Sequence, residues 1–262
     1  MIIGKSGDAV TSISTADANS LTVRGHDLCS DLMGRVGFTD YFYLLLTGQE
    51  PSDEQRFFLD LVLVAIAEHG LVPTNQAARM TLAADPDAIQ GAVAAGILGC
   101  GSVILGTTQS CGDFLKHVLA CAETEGVAPE IVLRREAEAL RAARQPAPGF
   151  GHPLHKPVDP RAQRILELAE ERGVAGPHSA LARASESVIP EIWGKPLPMN
   201  VSMTIAAVLL DLDFPAAMLK AIPILARTAS LLAHLAEEQE RPIGFLMAGH
   251  AEAAIRYSVE EE

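Results

Sequence analysis

The chain lacks the short motifs that would mark a metal finger, a dithiol redox centre or a dinucleotide fold. Its four cysteines, Cys29, Cys100, Cys111 and Cys121, show no C-x-x-C spacing. That excludes zinc-ribbon ligation and reads as free, half-buried thiols in a reducing compartment. Gly99-x-Gly101 has no glycine three residues further on and follows a helical pattern, so it is not a dinucleotide fingerprint. Met1-Ile-Ile-Gly-Lys5 carries no extended apolar core, so no signal peptide is expected and the reading is cytoplasmic. Positive charge is scarce as well. A formal net charge of −13 over 262 residues disfavours a broad nucleic-acid footprint. Strand-like alternation is confined to 10–15 and 21–23, a small hairpin at most, and there is no internal repeat.

What is present is helical. Ser52-Asp-Glu-Gln55 is a capping box opening a helix to about Glu68, with Phe58, Leu61, Val62, Ala65 and Ile66 inward. Further helices are expected near 75–83, 86–99, 108–123, 130–144, 160–172, 178–189, 202–211, 216–239 and 249–257, with Pro223 bending or restarting the 216–239 helix early. The uncharged run Ala88–Gly112 is 25 residues long, enough to span a bilayer. However, its six glycines, its polar residues and the missing basic flank favour a buried helix and a Gly-rich turn over a membrane span.

The most informative segment is Pro148-Gly-Phe-Gly-His-Pro-Leu-His-Lys-Pro-Val-Asp-Pro-Arg161. It sets His152, His155, Lys156 and Arg161 in a loop held by two glycines and four prolines. The loop feeds a helix with Asp159 as N-cap, Pro160 in its first turn and Gly173 as its stop. Arg161 in that first turn opposes the helix dipole, which makes sense if Arg161, Lys156 and free backbone N–H groups hold an anion there. His152-x-x-His155 is not read as a metal pair, because Pro153 separates the two and no acidic partner follows at ligand spacing; no metal is expected.

This segment resembles the signature of the citrate synthase superfamily, Pro-Gly-(Phe/Tyr)-Gly-His followed by Asp-Pro-Arg. Arg24-Gly-His-Asp-Leu28, Glu68-His69-Gly70 with Ala77-Ala-Arg79, Gln90-Gly-Ala-Val-Ala-Ala-Gly96, Leu197-Pro-Met-Asn200-Val201 and Ile224-Leu-Ala-Arg227-Thr resemble further family elements in the same order. Within the family the wording is most similar to bacterial citryl-CoA lyase-like proteins. The resemblance implies an all-α, two-lobed helical fold with a large lobe of 1–106 and 213–262 and a small lobe of 107–212. It also implies a homodimer, while charge and composition, as above, leave no nucleic acid or membrane as an expected partner. By the same resemblance His152 contacts the keto-acid oxygen, with His69 another substrate histidine. Arg161 and Arg227 bind substrate carboxylates. Coenzyme A falls to Gly149, Phe150 and Gly151, whose backbone can meet an adenine edge, and to Lys156, Lys195 and Asn200.

Two departures bear on the chemistry. Gly101-Ser-Val-Ile-Leu-Gly106 places Ile104 where synthases carry an enol-stabilising histidine, and Asn200-Val201-Ser202 places a hydroxyl where they carry a carboxylate base. A serine hydroxyl is no general base unless another group takes its proton. The family's late Arg-Pro falls near Phe245-Leu246, unless Arg241-Pro242 takes that role. The implied activity is a coenzyme A thioester lyase or synthase, converting a 3-hydroxy-3-carboxyacyl-CoA to an acyl-CoA and a 2-oxo acid or the reverse. His155 and His69 are candidate bases, and Ser202 can orient a water. The alternatives are a coenzyme A ester-binding homologue without carbon–carbon chemistry and a thioester hydrolase with Ser202 as nucleophile.

Overall fold

The computed structural model describes residues 9–101, 107–152 and 155–258. Ile104 lies outside the described residues. Two compact units divide the chain, Met1–Asp60 and Leu61–Glu262.

In the first unit, β1 (Ser14–Ala16), β2 (Leu21–Val23) and β3 (His26–Asp27) form an antiparallel sheet in that order, with Ser14 opposite Val23 and Val23 opposite His26. The first strand starts later than the sequence suggests, and a third strand is added. Asp17 explains the first shift: its carboxylate accepts the N–H groups of Asn19 and Ser20, which sets the reversal just after Ala16. Arg24 (φ 50°) and Gly25 (φ 89°) explain the second, since two left-handed residues make the tight hairpin turn that matches strand twist. Arg24 also donates to Leu45 O at 3.1 and 2.7 Å, so it ties this turn to α1 (Phe38–Thr47). Sequence periodicity misses α1, because its apolar residues are too dense to alternate. Tyr41, Leu44 and Leu45 pack with Val23 and Leu32. α2 (Asp53–Ala67) opens with the expected capping box, Ser52 and Gln55 exchanging bonds of 2.9 and 3.2 Å.

In the second unit, α3 (Pro73–Ala84) packs on α4 (Ile89–Leu98), α10 (Ala221–Glu240) and α11 (Gly244–Ala254) around Ala78, Leu82, Ala92, Leu231 and Leu235. The apolar run is thus in part a core helix. A Cβ on Gly96 would come within 2.7 Å of Leu231, so the glycine permits the close approach of α4 and α10. A second helix group surrounds α9 (Val201–Asp211), which is buried on nearly every side. α5 (Thr107–Glu125), α7 (Pro160–Glu171) and α8 (Pro177–Trp193) pack on α9, and α6 (Pro129–Ala142) covers α5 and α8.

Two helix boundaries depart from expectation for identifiable reasons, and the restart allowed at Pro223 is seen. α8 continues through Pro190 to Trp193, losing one backbone bond near its end, and closes at Gly194 in the left-handed region. Pro223 sits in the first turn of α10, where its missing N–H costs nothing, and a separate 3₁₀ turn covers Ala216–Met218. α11 starts at Gly244 rather than 249. The Glu238 carboxylate accepts the N–H groups of Ile243 and Gly244 at 2.9 and 2.7 Å, a cap supplied by α10 that no local sequence signal reveals.

Candidate active site

The Gly-rich loop is built by pairing with the turn before α9. Gly151 N–H donates to Pro198 O and Asn200 N–H to Gly149 O, both at 2.8 Å, placing Phe150 opposite Met199. Gly149 has φ 73°, and a Cβ there would lie 2.6 Å from Met203 Cβ and 2.9 Å from Cys111 Sγ. Only glycine satisfies both the backbone and the packing. Asn200 caps α9 through Ser202 N–H (3.0 Å) and donates to Gly151 O (3.1 Å). The Phe150 ring packs with Trp193, Leu197 and Ile189. Thus the N–H groups of Phe150 and Gly151, expected at an adenine edge, are used inside the protein, and Asn200 is a structural tie.

Asp159 caps α7 as expected, but it also holds the guanidinium of Arg161. Its carboxylate is fully buried and receives Arg161 Nε at 3.0 Å, Nη2 at 2.9 Å, Arg161 N–H at 3.1 Å and Val201 N–H at 3.2 Å. The anion that Arg161 required is therefore intramolecular, and the first-turn N–H is spent on it too. Burial pushes the Asp159 carboxyl up, but the Arg161 bonds and charge outweigh burial and hold it below the usual carboxylate range. Pairing through Nε and Nη2 leaves the Nη1 edge of Arg161 for a second carboxylate.

Three imidazoles converge beside this pair, one from the turn after α2 and two from the loop. His69 Nε2 is 3.3 Å from His155 Nε2, and the His152 and His155 ring centroids are 4.4 Å apart. His152 Nδ1 accepts the backbone N–H of His155 at 3.0 Å. With Nδ1 accepting, the neutral ring carries its proton on Nε2 and presents a donor. Burial lowers the pKa of His69 and of His152. Arg161 and His155 lower both further, and Asp159 partly opposes the shift at His152. Both are neutral rings at neutral pH.

The three histidines can bring ligand atoms within 4.8 Å of one another, a grouping that a metal ion can use. The chemistry of this set points the other way. The protonated Nε2 of His152 has no lone pair for a metal, and the neighbouring guanidiniums repel a cation. A carbonyl or carboxylate oxygen suits these donors better.

Arg227, from α10, completes the cluster. It is half-buried, and among the described residues its hydrogen bond is a long one, Nη1 to Ala67 O at 3.4 Å. Burial pushes its pKa down, Cys100 and Glu68 oppose that, and Arg161 adds to it, so the two guanidiniums feel one another. Ser202 lies at the start of α9 with its Oγ 2.9 Å from Thr107 Oγ1. Among the described residues no imidazole hydrogen-bonds to Ser202. Lys156 and Lys195 are exposed. Lys195 borders a cleft of about 650 Å³ lined by Val158, Gln163, Glu186 and Leu197, and none of the three imidazoles lines that cleft. The thiols are free; burial pushes Cys111 far up and raises Cys100, so both are inert.

The sequence reading did not assign Asp159 to Arg161, nor did it include Glu68, Ser230 and His234. The signal for the α10 residues was available. Arg227, Ser230 and His234 fall at i, i+3 and i+7, one face of one helix.

A mainly helical scaffold gathers three imidazoles and two guanidiniums at a Gly-rich loop. The family model described as citrate synthase, C-terminal domain matches residues 49–244. The chain belongs to the citrate synthase family. A citrate synthase of Synechocystis sp. is 30% identical over 210 residues, covering 78% of this chain and 50% of that protein. The chain thus spans about half the length of the curated relatives it matches. The solved structure of citryl-CoA lyase from Hydrogenobacter thermophilus is 26% identical, with a TM-score of 0.83 over 97% of this chain and 96% of that one. Methanosaeta concilii ATP citrate lyase, solved with (3S)-citryl-CoA, shares the fold, with a TM-score of 0.75 at 20% identity, over 99% of this chain and 43% of that one.

Proposed function

We propose that this protein is a homodimeric lyase that cleaves a 3-hydroxy-3-carboxyacyl-CoA thioester to an acyl-CoA and a 2-oxo acid. Arg227 carries the proposal. A half-buried guanidinium with one long backbone bond is under-satisfied, and a substrate carboxylate supplies what it lacks. The likeness to citryl-CoA lyase over nearly the whole of both chains supports the reaction class. In this reading residues 107–212, which include the helices around α9, form a smaller lobe. The loop at 148–159 carries His152, and the start of α7 carries Arg161, to the cleft between lobes.

The residues divide the work by proton inventory. Arg227 and the Nη1 edge of Arg161 hold carboxylates. The substrate hydroxyl gives its proton to an imidazole nitrogen of His69 or His155, whose 3.3 Å contact lets one ring accept while the other donates. The carbon–carbon electron pair passes to the thioester, giving an enolate that is then protonated to the acyl-CoA, while the former hydroxyl carbon becomes a ketone. His152 Nε2–H stabilises the oxygen on that carbon as charge develops. Ser202 and Thr107 together can orient a water at the base position.

A second reading, a coenzyme A ester-binding homologue without turnover, is favoured by the hydroxyl at Ser202 where synthases carry a carboxylate. Incubating the purified protein with citryl-CoA and close homologues separates the two. Release of acyl-CoA and keto acid supports the lyase, binding without products supports the second reading, and free coenzyme A with an intact acid indicates hydrolysis. Coenzyme A binding is expected to weaken with salt, because exposed lysines meet phosphates as screened point charges. The double variant Lys156→Ala/Lys195→Ala is expected to bind about tenfold or more weakly in calorimetry. Unchanged affinity would remove these lysines from the site.

A further inference from the structure

We infer that Glu68 and His234 are positioning residues that fix the direction of His69; this rests on the reading of His69 as a substrate-facing imidazole. His69 stands on the five-residue connection 68–72 between α2 and α3, whose backbone has no helix to hold it. Glu68 supplies the hold. Its Oε1 accepts the N–H groups of both His69 (2.9 Å) and Gly70, and its Oε2 accepts the Ser230 hydroxyl and lies 3.0 Å from His234 Nε2. Asn75 Nδ2 donates to Gly70 O at 2.6 Å and packs 2.8 Å from the same His234 nitrogen.

The other end of the chain of contacts is anchored in the core. His234 Nδ1 is 3.4 Å from Nη1 of Arg79, a fully buried arginine held by Glu238 at 2.6 Å and Glu237 at 2.8 Å. Arginine can only donate, and an ionised carboxylate can only accept. Those two neighbours favour a proton on His234 Nε2, whereas Asn75 Nδ2, also a donor and 2.8 Å from the same nitrogen, favours one on Nδ1, so the ring is held between Glu68, Asn75 and Arg79 in either tautomer. Burial raises the Glu68 carboxyl, but the bonds from Ser230, His234 and Gly70 outweigh it, so Glu68 is an anion at neutral pH. A line of close contacts therefore runs from a buried arginine through His234 and Glu68 to the turn that aims His69 at His155 and His152. Ser230 and His234 project from the same α10 face as Arg227, so one helix sets a substrate guanidinium and the imidazole beside it.

Carbethoxylation of individual histidines by diethyl pyrocarbonate, mapped by mass spectrometry, tests this without depending on turnover. In His234→Leu and in Glu68→Ala, modification of His69 is expected to quicken roughly threefold or more. His178, held elsewhere by Asp211 at 2.8 Å, should keep its rate and reports that the fold is intact. His234→Gln, whose side-chain amide puts a donor where Nε2 was, should return His69 to near its original rate. Equal His69 rates in the parent, His234→Leu and Glu68→Ala would overturn the inference, as would a Gln variant as fast as the Leu variant. If the parent cleaves citryl-CoA, kcat should fall about tenfold in the same two variants with KM for the thioester little changed. A protein with the modification pattern but no cleavage would leave the positioning intact and remove only the lyase.

Discussion

Asp159→Ala is expected to destabilise the protein by about 3–5 kcal/mol, the cost of removing one member of a buried ion pair. The carboxylate is at 0% exposure and joins three things: the first turn of α7, the guanidinium of Arg161 and the N–H of Val201 at the start of α9. Removing it leaves a cation without its partner and two backbone donors without acceptors. Asp159→Asn should cost less, because its amide oxygen can still cap α7. Urea unfolding at neutral pH measures both, and equal stability for Asp159→Ala and the parent would mean that the pair contributes nothing net. The pH dependence has a definite sign. The folded pKa lies below the unfolded value of about 3.9, so the contribution is fully present above that value. It is lost as pH falls through the lower folded pKa. The parent should therefore lose stability more steeply than Asp159→Ala below about pH 4.

Arg227→Ala is expected to act the opposite way, on function and not on stability. Loss of a desolvated carboxylate contact is worth about 2–5 kcal/mol, which is roughly 30- to 5,000-fold in kcat/KM on the thioester that the parent cleaves. Without ligand, the guanidinium is half-buried with one 3.4 Å bond among the described residues, and burial already lowers its pKa. Its removal should leave the unliganded protein unchanged to within about 0.5 kcal/mol, or more stable. Steady-state kinetics beside thermal unfolding reads both. A variant that loses stability and keeps its kinetics would make Arg227 a structural residue. Arg227→Lys should recover only part of the activity, because an ammonium cannot make the bidentate contact.

The contrast between these two arginines shows where sequence reasoning runs out. Both lie in motifs that mark them as anion binders, and the first-turn position of Arg161 correctly demanded an anion. Which anion is a three-dimensional fact. Asp159 is two residues away, but its carboxylate faces Arg161 because Asp159 is buried between α7 and α9. The loop at 149–151 is similar. Its glycines were legible, but their reason is Met203 and Cys111, which approach from α9 and α5. Asn200 looked like a ligand residue because it precedes Ser202 in a family motif; in the fold it ties one loop to another. The α11 start was hidden because its cap is Glu238, a residue of another helix.

The sequence by itself determined the helical class, most helix positions, the family, and the loop that carries His152, His155 and Arg161. These rest on local information: periodicity along one helix, cap residues next to the turns they close, and a motif contiguous in the chain. Only the tertiary structure decided that His69 meets two histidines from 83 and 86 residues further on, and that Arg161 is already paired while Arg227 has, among the described residues, one long bond to Ala67 O. It also decided that a buried Arg79 reaches the His69 turn through His234 and Glu68. Protonation, tautomer and unmet hydrogen-bonding capacity depend on which groups lie within about 3 Å. Here those groups come from parts of the chain that no local reading brings together.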